Sequence, residues 1–211
     1  MQTGGSDQTT RRPHTGRRRN EAARRAILDV VVDLIGRDDD APVTIDTIAA
    51  AAGVGKQTIY RWWPSKGAVL LEAMTERADL DIPPPDTGTL AGDLEAFLRA
   101  TFRLAGQATM ARLLRKVMVE AQLDPQMGEA TRAFLARRRS ALRGLFERAA
   151  ERGEAAPGGD PDLLVDQAFG VLWYRILVGH APLTEASATE LAGALAAQAV
   201  RRAHGEPDPP R

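Results

Sequence analysis

The segment from Thr44 to Lys66, TIDTIAAAAGVGKQTIYRWWPSK, gathers most of the side chains whose types and spacing could do chemistry. Gly55, Lys56, Gln57, Thr58, Tyr60 and Arg61 form a run rich in hydrogen-bond donors. Lys56, Gln57 and Arg61 have the reach for base edges in a DNA major groove, where Arg and Lys favour guanine and Gln favours adenine. Thr58 suits a thymine methyl or a phosphate. Thr44 and Lys66 stand at the expected starts of two helices, good positions from which to hold a phosphate. A cation in a first helical turn opposes the helix dipole, and a phosphate beside Lys66 would make its placement sensible. Each of these side chains also admits the plainer role of a solvent-exposed polar residue.

Catalytic chemistry has no comparable support. The chain has no cysteine, which removes thiolate nucleophiles and disulfides. His14, His180 and His204 are far apart, and no HExxH, GxSxG or phosphate-loop pattern occurs. No cluster has metal-ligand spacing, so no metal or other cofactor is implied.

The elements that must position the donor row follow from periodicity. Ile45, Ile48, Ala49 and Ala52 recur at i, i+3, i+4 and i+7, one face of a helix. Gly53 breaks the pattern, and Val54, Ile59 and Trp62 resume it, which is the layout of a helix-turn-helix. Thr44 caps the first of these helices, and Pro64 halts the second. Of the adjacent tryptophans one must be core and the other abuts the sugar-phosphate. Trp62 takes the buried helix-turn-helix position, and Trp63 covers the junction with the next helix. An earlier helix opens at Asn20 or Glu21 and closes on Gly36 in a left-handed cap. Asp38, Asp39 and Asp40 then form a solvated acidic loop. Ser65 caps a fourth helix running to about Leu80, and the proline-rich DIPPPDTG from Asp81 to Gly88 marks a domain junction.

The chain has 211 residues and zero formal net charge, so DNA contact must come from local patches. No apolar run reaches the ~18 residues of a membrane span, and the N-terminus lacks a signal-peptide core. With the absence of cysteine this fits a cytoplasmic protein that makes no membrane contact. Met1 to about Arg19 is polar, carries five arginines, and is expected to be disordered. It is either a solubilising tail or a basic arm for phosphates and a minor groove. Residues 206–211 form a second disordered tail.

The remainder is expected to be helical: about Thr89–Gly106, Thr109–Leu123, Pro125–Arg152, Asp162–Gly179 and Thr184–His204. Bulky residues among these helices are either plain core or the lining of a pocket. The candidates are Phe97, Phe102, Met110, Leu114, Met118, Phe134, Phe169, Trp173 and Tyr174. With few ionisable residues near them, the pocket would take a largely apolar small-molecule effector. The helix LLVDQAFGVLWYRILVG is apolar on nearly every side, so one side can face its own core and another a partner. Small residues on the next helix permit close approach. Leu164, Val171, Leu177, Val178, Ala188, Leu191 and Leu195 are the interface candidates. The alternative is an internal hairpin of a monomer.

The stretch from about Ala22 to Met74 resembles the DNA-binding signature of the tetracycline-repressor (TetR) family of bacterial regulators. The likeness rests on the first-helix stripe, the Ile-Ala-x-x-Ala-Gly-Val turn, the Tyr-Arg-x-Trp-Pro-Ser-Lys end and the apolar run of the fourth helix. Trp63 departs from the family's usual Phe. The resemblance implies an all-α fold of about nine helices per subunit. Residues 20–80 would carry the DNA-binding domain with its linking fourth helix, and 81–205 the effector and dimerisation domain. It implies that Tyr60 donates to a phosphate. The expected partners are a double-stranded DNA operator, a second copy of the chain and a small-molecule effector. The expected function is a repressor that the effector releases from a palindrome. An effector-independent or architectural DNA binder is the alternative.

Overall fold

The computed structural model describes residues 14–37, 42–81, 85–155 and 161–203, and every regular element among them is an α-helix. The chain runs α1 (His14–Gly36), α2 (Ile45–Ala52), α3 (Lys56–Tyr60), α4 (Lys66–Asp81), α5 (Leu90–Gly106), α6 (Ala108–Leu123), α7 (Pro125–Glu151), α8 (Asp162–Val178) and α9 (Glu185–Ala203). Arg11, Arg12, the Asp38–Asp40 loop, Pro83, Pro84, His204 and the C-terminal tail lie outside the described residues.

Two expectations about α1 need correction. It begins at His14, so residues 14–19 are helical backbone and not part of a disordered arm. Gly36 is its last residue and is not left-handed; positive φ occurs at Gly53, Gly88, Gly153 and Gly179 among the described residues. What asks for glycine at 36 is packing. A Cβ there would lie 3.1 Å from Thr109 Oγ1 at the start of α6. Arg112, on the same face of α6 one turn on, donates to the Ile35 and Arg37 carbonyls at 3.2 and 2.7 Å, closing orphaned groups at the end of α1.

Helices α1 to α4 form the N-terminal unit. Ile27, Leu28, Val31 and Ile35 of α1, Ile48 and Ala49 of α2, Ile59 of α3, and Val69, Leu70, Ala73 and Met74 of α4 are buried in one core that continues into the C-terminal helices. There α5 packs along α9, α6 along α7, and α4 against α6. Where the chain re-enters at 85–93, polar contacts fix its course. Arg148 of α7 donates to the Pro85 carbonyl at 2.7 Å. The fully buried Asp93 carboxylate accepts from the Thr87 amide at 2.6 Å and the Thr87 hydroxyl at 2.9 Å. Glu154 accepts from the Leu90 amide at 2.7 Å, and Arg152 reaches both carboxylates.

Candidate functional site

The donor row is carried by α3, whose length of five residues makes its placement depend on its neighbours. Thr44 caps α2: its hydroxyl accepts from the Thr47 amide at 3.2 Å, and Thr47 Oγ1 accepts from the Thr44 amide at 2.9 Å. This capping box uses a threonine at the third position, where the usual signature has Glu or Gln, so Thr47 went unnoticed in the sequence. Gly53, at φ 64°, ends α2 in the left-handed region. Its amide meets the Ala50 carbonyl at 3.3 Å and the Val54 amide meets Ala49 at 3.0 Å, the paired bonds of a Schellman cap. Ile59, fully buried, plugs α3 onto α2 in the shared core.

Around that plug Gly55, Lys56, Gln57, Tyr60 and Arg61 are exposed and Thr58 is half-buried. Lys56 forms an ion pair with Asp46 of α2, and the hydrogen bond to that carboxylate raises its pKa above the ordinary lysine value. The Arg61 guanidinium lies 6.0 Å from the Trp62 ring centre. A Cβ on Gly55 would meet nothing within 4 Å, and its φ of −74° is open to any residue. The fold itself therefore does not require glycine there.

The tryptophan pair is the reverse of the expected arrangement. Trp63 is buried at 2% exposure, whereas Trp62 is half-buried. Trp63 stands four residues after Ile59, beneath it, with its amide bonded to the Ile59 carbonyl at 3.0 Å. Its indole N–H donates to Glu72 Oε2 of α4 at 2.6 Å, and Glu72 also pairs with Arg24 of α1. One carboxylate thus ties the end of the recognition segment to α1 and α4. Lys66, expected on a phosphate, meets Glu120 of α6 at 2.6 Å. Beside it Gly67 is closely covered: a Cβ there would lie 2.9 Å from Met127 Sδ and 3.4 Å from Glu120 Cβ.

Farther along α4, Met74 and Ala78 wall a cavity of about 50 Å³ completed by α5, α6, α7 and α8. Of the expected lining, Met110, Leu114, Phe134, Phe169 and Trp173 are present. Phe97 and Phe102 are buried core that does not reach the cavity, and Met118 is half-buried away from it. Tyr174 is 59% exposed on the outer side of α8, its ring 4.6 Å from that of His180. Sequence reasoning missed Met74, Ala78, Thr101, Leu104, Ala105, Leu135, Arg138 and Leu172.

The outer faces of α8 and α9 correct the interface residues too. Leu164, Ala188 and Leu195 are buried in the chain's own core, so they offer nothing to a partner. Val171 and Leu191 are half-buried; Leu177 and Val178 are exposed. The exposed stripe on α8 is Leu163, Asp166, Gly170, Tyr174 and Leu177, and on α9 Ala186, Glu190, Gly193, Ala197 and Val200. A Cβ on Gly170 or Gly193 would meet nothing within 4 Å.

Residues 27–73 match the family model for bacterial regulatory proteins of the tetR family, and residues 84–195 match the tetracyclin repressor-like C-terminal domain. The chain belongs to the TetR family. Among curated relatives, the uncharacterized HTH-type transcriptional regulator YdeS of Bacillus subtilis is 33% identical over 77% of this chain and 82% of its own length. The DNA-binding transcriptional repressor TetR of Mycobacteroides abscessus is 32% identical over 80% and 88%. The crystal structure of the TetR family transcription regulator SCO0332 aligns with a TM-score of 0.69 at 33% identity, covering 83% of this chain and 97% of that one. The all-α architecture is the family's, and its members are helix-turn-helix transcriptional regulators, a non-enzymatic class. Among the described residues no helix is long and apolar enough to cross a membrane, and no group of His, Asp or Glu is arranged to hold a metal ion. For this TetR-family chain the turn glycine, the buried Ile59 and the exposed donor row were all legible before the fold; the partners of Trp63 and Lys66 were not.

Proposed function

We propose that the chain is a homodimeric repressor that reads a palindromic operator and is released by a small, largely apolar effector. The observation that carries this is the double role of α4. Glu72 grips Trp63 at the end of the recognition segment, and Met74 and Ala78, within two turns on the same helix, wall the cavity. A ligand that enlarges the cavity displaces α4, and α4 carries the recognition segment with it. Binding to a conformer whose α3 helices no longer fit successive grooves then shifts the population off DNA.

Lys56, Gln57 and Arg61 are the base-reading side chains, with Thr58 at a thymine methyl or phosphate. Thr44, Tyr60, Trp62 and Lys66 follow the backbone. The space beside Gly55 lets the duplex approach the turn. One five-residue helix reads few bases, and two of them spaced about 34–36 Å apart read a palindrome. The exposed stripes of α8 and α9 are the face on which the second copy packs. A relative named a DNA-binding transcriptional repressor supports the sign of regulation.

Selection of genomic DNA fragments by the purified protein tests this. The expected result is one inverted-repeat motif bound by two chains, with Arg61→Ala costing about 1–3 kcal/mol and relaxing preference at one base pair of each half-site. Binding with steep salt dependence and no sequence preference would instead establish an architectural DNA binder.

A further inference from the structure

The cavity presents almost wholly apolar surface, but two polar residues stand in its wall. Eleven of its lining residues present hydrocarbon, thioether or aromatic surface, and the other two are Thr101 and Arg138. Both are at least nine-tenths buried. Arg138 of α7 stands in the wall, with its guanidinium 5.2 Å from the Phe97 ring centre. Phe97, behind the cavity wall, and Thr101, in it, are one turn apart on the same face of α5, so Arg138 over the Phe97 ring lies toward the threonine's side of the space. Threonine in a helix commonly bonds back to the carbonyl four residues earlier. Here the Thr101 hydroxyl has no hydrogen-bond partner.

We propose that this cavity takes an apolar molecule ending in a carboxylate, with Arg138 and Thr101 donating to its oxygens. The proposal rests on the cavity being the effector site and names the chemistry of what enters. A guanidinium has five N–H donors and no acceptor, and a hydroxyl can add one more donor. Ligand atoms at that end are therefore selected for acceptor oxygen, and a planar carboxylate matches the guanidinium fork with charge-assisted bonds. The remaining walls select an apolar body. At about 50 Å³ the space is well below the ~150 Å³ of a cavity that holds benzene. The body must therefore push Met74 and Met110, whose unbranched side chains yield readily, and with Met74 the helix α4.

Isothermal titration calorimetry with matched pairs tests the chemistry: octanoate against 1-octanol, and 1-naphthoate against 1-naphthalenemethanol. In at least one pair the acid should bind about tenfold or more tightly than the alcohol. Arg138→Gln should erase that preference while leaving the alcohol's affinity within about twofold. Thr101→Val, which keeps the side-chain shape, should narrow the preference and serves if the arginine variant does not fold. If the alcohols bind as well as the acids, or the preference survives both substitutions, the assigned chemistry is wrong while the effector site stands. If none of the four binds, the effector-site reading fails along with it.

Discussion

Replacing Glu120 with Gln bears most directly on how the two halves of the chain communicate. In the structure Lys66 at the start of α4 is held at 2.6 Å by Glu120 of α6, with the two side chains 36% and 27% exposed. If Lys66 follows the DNA backbone as proposed, a phosphate and Glu120 compete for the same ammonium. A partly exposed pair of this kind contributes roughly 0.2–1 kcal/mol. Two copies per dimer give roughly 0.4–2 kcal/mol, and at 1.4 kcal/mol per tenfold the variant should bind operator roughly two- to thirtyfold more tightly. Gln is isosteric and neutral, so the packing of Gly67 against Met127 and the Glu120 stem is retained. Fluorescence anisotropy with the selected operator over a series of salt concentrations reads both affinity and ion release. If each Lys66 newly neutralises one phosphate, the slope of log K against log salt steepens by about 1.8 for the dimer. Lys66→Met should weaken binding evenly across sequences, and in the Lys66→Met background Glu120→Gln should have no further effect. Equal affinity and equal slope for Glu120→Gln and the parent would refute the competition.

Trp63→Phe removes the indole donor to Glu72 while Glu72 keeps Arg24; the expected loss is about 1–3 kcal/mol of stability in urea denaturation, with weaker operator binding that persists at temperatures well below unfolding. Gly53→Ala places a side chain at φ 64° with nothing in contact, so backbone strain alone should cost about 1–2 kcal/mol, measured the same way. Acid should destabilise the start of α5. For Asp93, burial pushes the pKa up, but the Thr87 amide and hydroxyl and Arg152 outweigh it and hold the carboxyl below its usual range; the Leu90 amide and then Arg152 do the same for Glu154. Both folded-state values lie below the unfolded ones, so this stability is complete above the ordinary carboxylate values of about 3.9 and 4.3 and is lost as pH falls from there through the lower folded-state values. Urea midpoints from pH 7 downward should drop there, and Asp93→Asn should flatten the drop.

What periodicity could and could not say is visible residue by residue. Ile45, Ile48, Ala49 and Gly53 were legible because a short amphipathic helix and its cap are specified within a few residues. The tryptophans were not, because spacing from Ile59 admits both the third and the fourth residue onward, and the choice is made by Glu72 on another helix. Leu164, Ala188 and Leu195 show the same limit in α8 and α9. A helix apolar on all sides must be covered, but its sequence does not say which stripe its own chain covers. Lys66 and Glu120, or Arg138 and Phe97, are joined by tertiary packing that no local pattern encodes. The pairings that escaped the sequence all touch α4 or the helices packed on it. The recognition segment was readable because its fold is local. Coupling it to a distant ligand requires long-range contacts, and Glu72, Lys66, Met74 and Ala78 put three of those contacts, to Trp63, to Glu120 and to the cavity, on a single helix.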